Sequence, residues 1–188
     1  MSSDRNARAL AGLRIAVGML FLIFAEYKVF GAEFTRGGGF QLWINRFLAE
    51  GTYPFMAPIL RDLVLPHAKF CAFLVAYGEL AIGLALVLGV LVRTASVFGL
   101  AYMLALLFSS NYPGAHAAFW QYFGASLDHS VLLLCFATFA LSNSDQVFAL
   151  RTRVERNSPV ELPMRFGLAA DPAGQNSNAG QDTLQEGR

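Results

Sequence analysis

The chain has 188 residues, of which 55% are hydrophobic and 14% are charged, and its formal net charge at pH 7 is +1. The low charge content excludes an ordinary water-soluble enzyme, and the near-zero net charge excludes a nucleic-acid-binding protein, which needs a basic surface. Two cysteines are too few for a disulfide-stabilised scaffold. The high hydrophobic content instead predicts an all-α protein that has the lipid bilayer as a partner.

The first apolar run covers residues 9–30 and is predicted to cross the membrane as a helix. A helix of this length spans the roughly 30 Å hydrocarbon core at about 1.5 Å per residue. Glu26, Tyr27 and Lys28 follow its apolar centre, where a secretory signal peptide would have the small residues of a cleavage site. We therefore expect this helix to be retained.

The loop after this helix, residues 31–69, is predicted to contain structure of its own. Three glycines at 37–39 break the chain, and no Gly-Lys-Ser/Thr sequence follows them, so they indicate a hinge and not a phosphate-binding loop. Apolar residues then recur at helical spacing from Phe40 to Leu48 among polar ones. This pattern predicts an amphipathic helix on the outer membrane surface or on the end of the bundle.

Three further spans are predicted at about residues 68–92, 94–112 and 121–142, with a short turn around Arg93. The start of the last helix stays open. A start at Phe119 places Asp128 and His129 near mid-depth, whereas a start at Leu127 leaves them at the interface. Residues 1–150 are therefore predicted to form an integral membrane four-helix bundle.

Four spans place both termini on the same side of the membrane. Basic residues are frequent next to the membrane boundaries on that side, and none occurs in residues 109–126 on the other. The positive-inside rule then predicts cytoplasmic N- and C-termini in a bacterial-type inner membrane. Residues 151–188 have few large apolar side chains, which predicts a disordered cytoplasmic tail.

Small residues on the second span predict how its helix packs. Ala81, Ala85 and Gly89 recur every four residues and are expected to seal the bundle by close backbone approach. Glu79 and Gly83 share a neighbouring face, so the carboxyl group is expected to point into a separate cleft.

Ionisable side chains within the spans are the candidates for function, because a charge in the hydrocarbon core is costly unless it is paired, neutralised or hydrated. Glu79 lies near mid-depth, and the predicted topology places the other candidates in the outer half of the bundle. They form a predicted polar pocket of Glu26, Tyr27, Lys28, Tyr77, Glu79, Asp128 and His129.

Structural roles are open for the same residues. Glu79 could be protonated and bonded to a neighbouring helix, and Lys28 could extend to the outer interface. Asp128 could cap the fourth helix at its N-terminus if that helix starts late. His129 alone is more typical of a hydrogen-bonded or interfacial histidine than of a metal ligand. No metal site is predicted, and the residues do not identify a catalytic or cofactor-binding group.

Three segments carry a resemblance to a known family. The first runs from residue 13 to 21 and on to Lys28, the second covers residues 78–89 and is followed by Arg93, and the third is residues 141–145. With these segments the chain resembles the DoxX-like integral membrane proteins, a family that includes DoxD, the small subunit of thiosulfate:quinone oxidoreductase.

The resemblance covers residues 9–147 and implies a four-helix membrane bundle associated with quinone-linked redox chemistry of sulfur or oxidative stress. It implies quinone as the cofactor, and Lys28, Glu79 and Arg93 as positions that match the family.

The leading functional hypothesis is an accessory or quinone-proximal subunit of a membrane redox system. Quinone reduction consumes protons as well as electrons, and the buried carboxyl of Glu79 is a candidate proton donor. The sequence has no flavin or nicotinamide motif, and Cys71 and Cys135 form no CxxC pair, so electrons would come from a protein partner. The alternatives are a structural or assembly protein that docks a partner or a second copy through its outer loop, and a small ion or proton transporter.

Overall fold

The computed structural model describes residues 2–142, with side chains from residue 5 onward. These residues form helices and no β-strand, which confirms the all-α prediction. The predicted disordered tail, residues 151–188, lies outside the described residues. In chain order the helices are α1 (Ser2–Phe30), α2 (Ala32–Thr35), α3 (Gly39–Glu50), α4 (Met56–Pro58) with a π-helical continuation (Ile59–Val64), α5 (Ala68–Leu88), α6 (Val92–Ser109), α7 (Gln121–Gly124) and α8 (Leu127–Leu141).

Three of these helices are long and apolar enough to cross a membrane, namely α1 from Arg5 onward, α5 and α6. The fourth predicted span contains α8, which is apolar but has only 15 residues and is therefore about 22 Å long. The described part of the chain thus contains an integral membrane unit with three full-length spanning helices and a shorter apolar one.

The structure places the start of α8 at Leu127, the later of the two starts that the sequence left open. Ser126 occupies the N-cap position, so Asp128 lies in the first turn and does not cap the helix. The Asp128 side chain is 73% exposed. Asp128 and His129 therefore lie at the end of this helix and not at its middle.

The turn between α5 and α6 lies earlier than the predicted turn around Arg93. Gly89 adopts a left-handed φ of 69° and donates its N–H to the carbonyl of Ala85, as does Val90 at 3.0 Å. A glycine in this conformation ends a helix because it has no Cβ to clash with the backbone. The turn consists of residues 89–91, and Arg93 is already part of α6.

Helices α1 and α5 make backbone contact through two glycines. A Cβ on Gly18 would lie 3.0 Å from the carbonyl oxygen of Gly83, and a Cβ on Gly83 would lie 3.0 Å from that of Gly18. The predicted sealing strip is wrong, since Ala81 is exposed and Ala85 is only half-buried. The face that carries Gly83 seals the pair, because both helices have a glycine there and their backbones approach most closely.

Aromatic packing joins α8 to the other helices. The ring of Phe136 fills the space that a Cβ at Gly99 of α6 would need, and it meets the ring of Phe21 edge-on at 5.2 Å. Phe136 is completely buried. The surrounding core comprises Val17, Phe21, Ile82, Leu86, Val92, Ala95, Met103, Phe136 and Phe139.

The loop after α1 folds back as a cap over one end of the helices. Gly38 has a left-handed φ of 87° and occupies the N-cap position of α3, so the chain breaks at the three glycines and the predicted amphipathic helix follows them. Phe40 and Ile44 are buried with Phe34 of α2 and Ala72 of α5, whereas the opposite face of α3 is exposed. The cap therefore completes the bundle at the end where α1 stops.

Backbone hydrogen bonds attach this cap to the end of α6. Tyr53 donates its N–H to the carbonyl of Phe108 at 3.1 Å, and Tyr112 donates to that of Gly51 at 3.0 Å. The centroids of the Tyr53 and Tyr112 rings lie 4.8 Å apart. Burial raises the pKa of Tyr53, and the nearby phenols of Tyr122 and Tyr112 raise it further. The α3–α4 loop is thereby fixed against α6.

Candidate functional site

A buried ion pair joins α1 to α5. Lys28 Nζ lies 2.5 Å from Glu79 Oε1 and 2.6 Å from Glu79 Oε2. The side chains are only 15% and 6% exposed, respectively. Two opposite charges this close satisfy each other where either alone would be costly, as expected of ionisable groups within a membrane span.

The contact between Gly18 and Gly83 sets the register that brings this pair together. Lys28 is ten residues beyond Gly18, about 15 Å, and Glu79 is four residues before Gly83, about 6 Å. The two helices run in opposite directions, so both residues lie on the same side of the glycine contact, offset by about 9 Å. Side chains lean toward the N-terminus of their own helix, so those of Lys28 and Glu79 lean toward each other and close this gap.

A third helix contributes Tyr102, whose phenol Oη donates a hydrogen bond to Glu79 Oε1 at 2.5 Å. Glu79 lies ten residues before Gly89, and Tyr102 lies eleven residues after Leu91, so the tight turn places them at equal height on adjacent helices. The site is therefore a cluster of Lys28, Glu79 and Tyr102, one residue from each of the three spanning helices.

Aromatic side chains from the end of α1 and from α2 flank the ammonium group. Lys28 Nζ lies 5.3 Å from the centroid of the Phe34 ring, within the range of a cation–π interaction. The Phe34 ring in turn packs edge-on against Tyr27, with ring centroids 6.1 Å apart. The cluster thus has a charged group next to an aromatic wall at the end of the bundle.

An ammonium group, a phenol and a carboxylate define what the cluster can do. An ammonium group has three N–H donors, and two bonds from Lys28 reach Glu79. Glu79 accepts from Lys28 and Tyr102 and can exchange a proton with either. Lys28 does not extend to the interface, since its ammonium turns inward, and Glu79 is bonded to two neighbouring helices.

The other five residues of the predicted pocket do not join the hydrogen-bonded cluster, although Tyr27 packs against Phe34 beside it. Glu26, Tyr27 and Tyr77 are exposed at the helix surfaces, the two tyrosines by 50% and 51%. His129 is 21% exposed, and its Nδ1 lies 3.4 Å from Asp128 Oδ1 on the same helix. Within residues 5–142, none of these five side chains hydrogen-bonds to Lys28 or Glu79. The structure thus brings together two of the seven predicted residues.

Two buried polar residues were missed in the sequence analysis. Tyr102 has a sequence signal, because a turn placed at Gly89 sets it opposite Glu79. Arg14 is completely buried in α1, one turn before Gly18. Its position near the beginning of the first apolar run had indicated a residue at the membrane boundary. No sequence signal separates a buried arginine at such a position from one at the interface.

No metal centre is present in the part of the chain that the structure describes, where no three His, Cys, Asp or Glu side chains come together. Cys71 and Cys135 are free and partly buried.

The DoxX family model matches residues 9–111, which is more than half of the chain. No curated protein and no solved structure matches this chain. The matched range runs from α1 to the end of α6 and contains the complete Lys28–Glu79–Tyr102 cluster, whereas α8 with His129 follows it. With three membrane-spanning helices inside the matched range, the chain belongs to the DoxX family of integral membrane proteins.

Proposed function

We propose that this protein is an accessory, quinone-proximal subunit of a membrane redox system, linked to sulfur or oxidative-stress chemistry. The observation that carries the proposal is the buried Lys28–Glu79–Tyr102 cluster. Its three polar groups come from three different helices and meet through direct hydrogen bonds, beside a core that consists of apolar side chains. Buried ionisable groups of this kind mark proton or ligand sites more often than they serve packing alone.

The residues around the cluster fit a quinone headgroup. Such a group needs a flat apolar surface and a hydrogen-bond donor for its carbonyl oxygen. The aromatic wall of Phe34 and Tyr27 offers the surface. The ammonium of Lys28, which is 15% exposed, has an N–H beyond the two that its bonds to Glu79 use.

When bound, a quinone supplies the two-electron redox chemistry, and its reduction consumes two protons. The chain's own residues would hold those protons. Lys28 would orient the headgroup through the N–H that Glu79 does not accept, and this ammonium would pass one proton to the quinone. Glu79, held by its hydrogen bond from Tyr102, would relay a proton from the aqueous phase to restore the ammonium, and the second proton would follow by the same route.

Electrons would have to come from a partner protein, because the sequence contains no flavin, nicotinamide or iron–sulfur motif. This is why we propose a subunit and not a self-contained enzyme.

Quinone binding to the purified protein in lipid nanodiscs tests the proposal. We expect Glu79→Gln and Tyr102→Phe to weaken binding of a ubiquinone or menaquinone analogue about tenfold, since each removes a hydrogen bond to or within the cluster. Glu26→Gln and Tyr77→Phe are the matched controls, because they make the same chemical changes at exposed positions of the spanning helices α1 and α5. If all four variants bind like the parent, the cluster has no part in quinone binding.

A second candidate function is assembly with a protein partner or a second copy of the chain. The observation that favours it is a set of large apolar side chains exposed outside the three spanning helices: Leu42 at 69%, Trp43 at 41%, Phe119 at 80% and Trp120 at 69%. If these bind a partner, Phe119→Ser and Trp120→Ser should abolish its stoichiometric co-purification while Glu79→Gln retains it. Equal retention in all variants would remove this candidate.

A further inference from the structure

A cavity of about 250 Å³ opens between α2, α3 and the beginning of α5. Its walls are largely apolar and include Phe34, Leu65 and Ala72. Two basic side chains, Arg36 and Lys69, also line it, and both are exposed. The cavity therefore combines an apolar interior with positive charge that is open to the surroundings.

The positive charge at this cavity is not neutralised by the protein. Within residues 5–142, neither Arg36 nor Lys69 has a carboxylate within ion-pair distance, and no acidic residue lines the cavity. The carboxylate of Glu33 lies beside Gly37, where it would be 2.8 Å from an added Cβ, and Glu33 does not line the cavity. Thr35, which is 5% exposed, adds a hydroxyl to the lining. This combination is complementary to an anion with an apolar extension.

The depth of the cavity identifies the source of such an anion. Lys69 is the second residue of α5, one position after the membrane-spanning segment begins at Ala68. Phospholipid phosphates lie at this boundary of the hydrocarbon core, where Lys and Arg side chains attract anionic headgroups electrostatically. Ala72, one turn deeper on α5, continues the apolar wall toward the hydrocarbon.

We propose that this cavity binds the headgroup of an anionic phospholipid from the surrounding bilayer. Arg36 and Lys69 contact the phosphate, and one acyl chain follows the apolar wall along Leu65 and Ala72. The inference does not depend on quinone binding, because Arg36, Lys69, Leu65 and Ala72 lie outside the Lys28–Glu79–Tyr102 cluster. Phe34 is shared, since it lines the cavity and also packs beside Lys28.

Native mass spectrometry of the full-length protein, released from micelles that contain phosphatidylglycerol or phosphatidylcholine, tests the proposal. We expect one phosphatidylglycerol to be retained about tenfold more strongly than phosphatidylcholine. The double variant Arg36→Gln/Lys69→Gln should lose this preference. Arg61→Gln is the matched control, since Arg61 is exposed on the π-helical segment of the same cap and does not line the cavity.

Two results would overturn the proposal. One is an unchanged preference for phosphatidylglycerol in the double variant. The other is binding of inorganic phosphate that displaces phosphatidylglycerol at equal concentration, which would identify a site for a soluble anion. Because Arg36 and Lys69 are exposed, the variant is expected to fold, and an unchanged melting temperature of the delipidated protein verifies this.

Discussion

The ammonium of Lys28 contacts both carboxylate oxygens of Glu79, although 51 positions separate the two residues in the chain. The contact joins the last turn of α1 to the middle of α5, on the same helix pair whose backbones approach each other closely at Gly18 and Gly83. Helix packing and the chemistry of the site therefore depend on the same interface. A change in the packing of these two helices is expected to disturb the ion pair.

Glu79→Gln should lower the free energy of unfolding by about 3 kcal/mol, because it leaves the Lys28 ammonium buried beside a neutral partner. The double variant Lys28→Met/Glu79→Leu should lose much less, since no buried charge remains. Unfolding in mixed detergent micelles measures both. An exposed pair provides the control: Arg46→Gln removes the partner of Glu50 and should cost less than about 1 kcal/mol. A double variant that loses as much stability as Glu79→Gln, or more, would contradict this explanation.

Gly83→Ala should destabilise the protein by about 1 to 3 kcal/mol, because the added Cβ would lie 3.0 Å from the backbone oxygen of Gly18 and 2.8 Å from a methyl group of Leu22. Gly78→Ala on the same helix is the control, since nothing lies within 4 Å of its added Cβ. It should be neutral or stabilise by up to about 1 kcal/mol through helix propensity. Equal effects of the two substitutions, measured by thermal unfolding in detergent, would show that the helices do not meet at Gly83.

Phe136→Ala should cost about 3 kcal/mol or more, because it leaves a cavity between α8, Phe21 and Gly99. Leu134→Ala on the same helix is the matched control, since Leu134 is 64% exposed and its truncation opens no internal cavity. The difference between the two melting temperatures measures how firmly α8 packs on the spanning helices. A tolerated Phe136→Ala would indicate that this helix is peripheral to the fold.

The predicted orientation is testable with single cysteines in a chain that carries Cys71→Ala and Cys135→Ala. A cysteine at Asn45, on the cap helix α3, should react with a membrane-impermeant maleimide added outside intact cells. A cysteine at Thr94, at the opposite end of the spanning helices, should react only after the cells are opened. The reverse pattern would place the N-terminus outside and the cap in the cytoplasm.

Much of the fold could be predicted from the sequence, because long apolar runs determine where membrane helices lie. The chain break at the three glycines and the amphipathic helix after it were also predicted correctly. The α5–α6 turn was not. Arg93 was expected to lie in this turn as the charge between two apolar runs, whereas the left-handed backbone of Gly89 ends α5 earlier. The sealing face was also mispredicted, because a strip of small residues on one helix does not show where the partner has its own glycine.

The site was predictable only in part. Glu79 and Lys28 are ionisable groups inside apolar runs, and the cost of burying them indicates that they meet a partner. A tyrosine within an apolar helix does not by itself indicate a site. Only the position of the α5–α6 turn places Tyr102 opposite Glu79. The sequence alone could not exclude Tyr77 and Glu26 from the site. The side of each helix that faces the bundle depends on the contact between Gly18 and Gly83.

The most direct test of the proposed redox role is to purify the protein in mild detergent from its native membrane and analyse that sample by mass spectrometry for bound quinone and co-eluting polypeptides. The proposal predicts a retained quinone together with a stoichiometric oxidoreductase partner, and loss of the quinone but not of the partner in the Tyr102→Phe variant. A protein that elutes alone and free of quinone would contradict the redox role and leave the Lys28–Glu79–Tyr102 cluster as a device of helix packing.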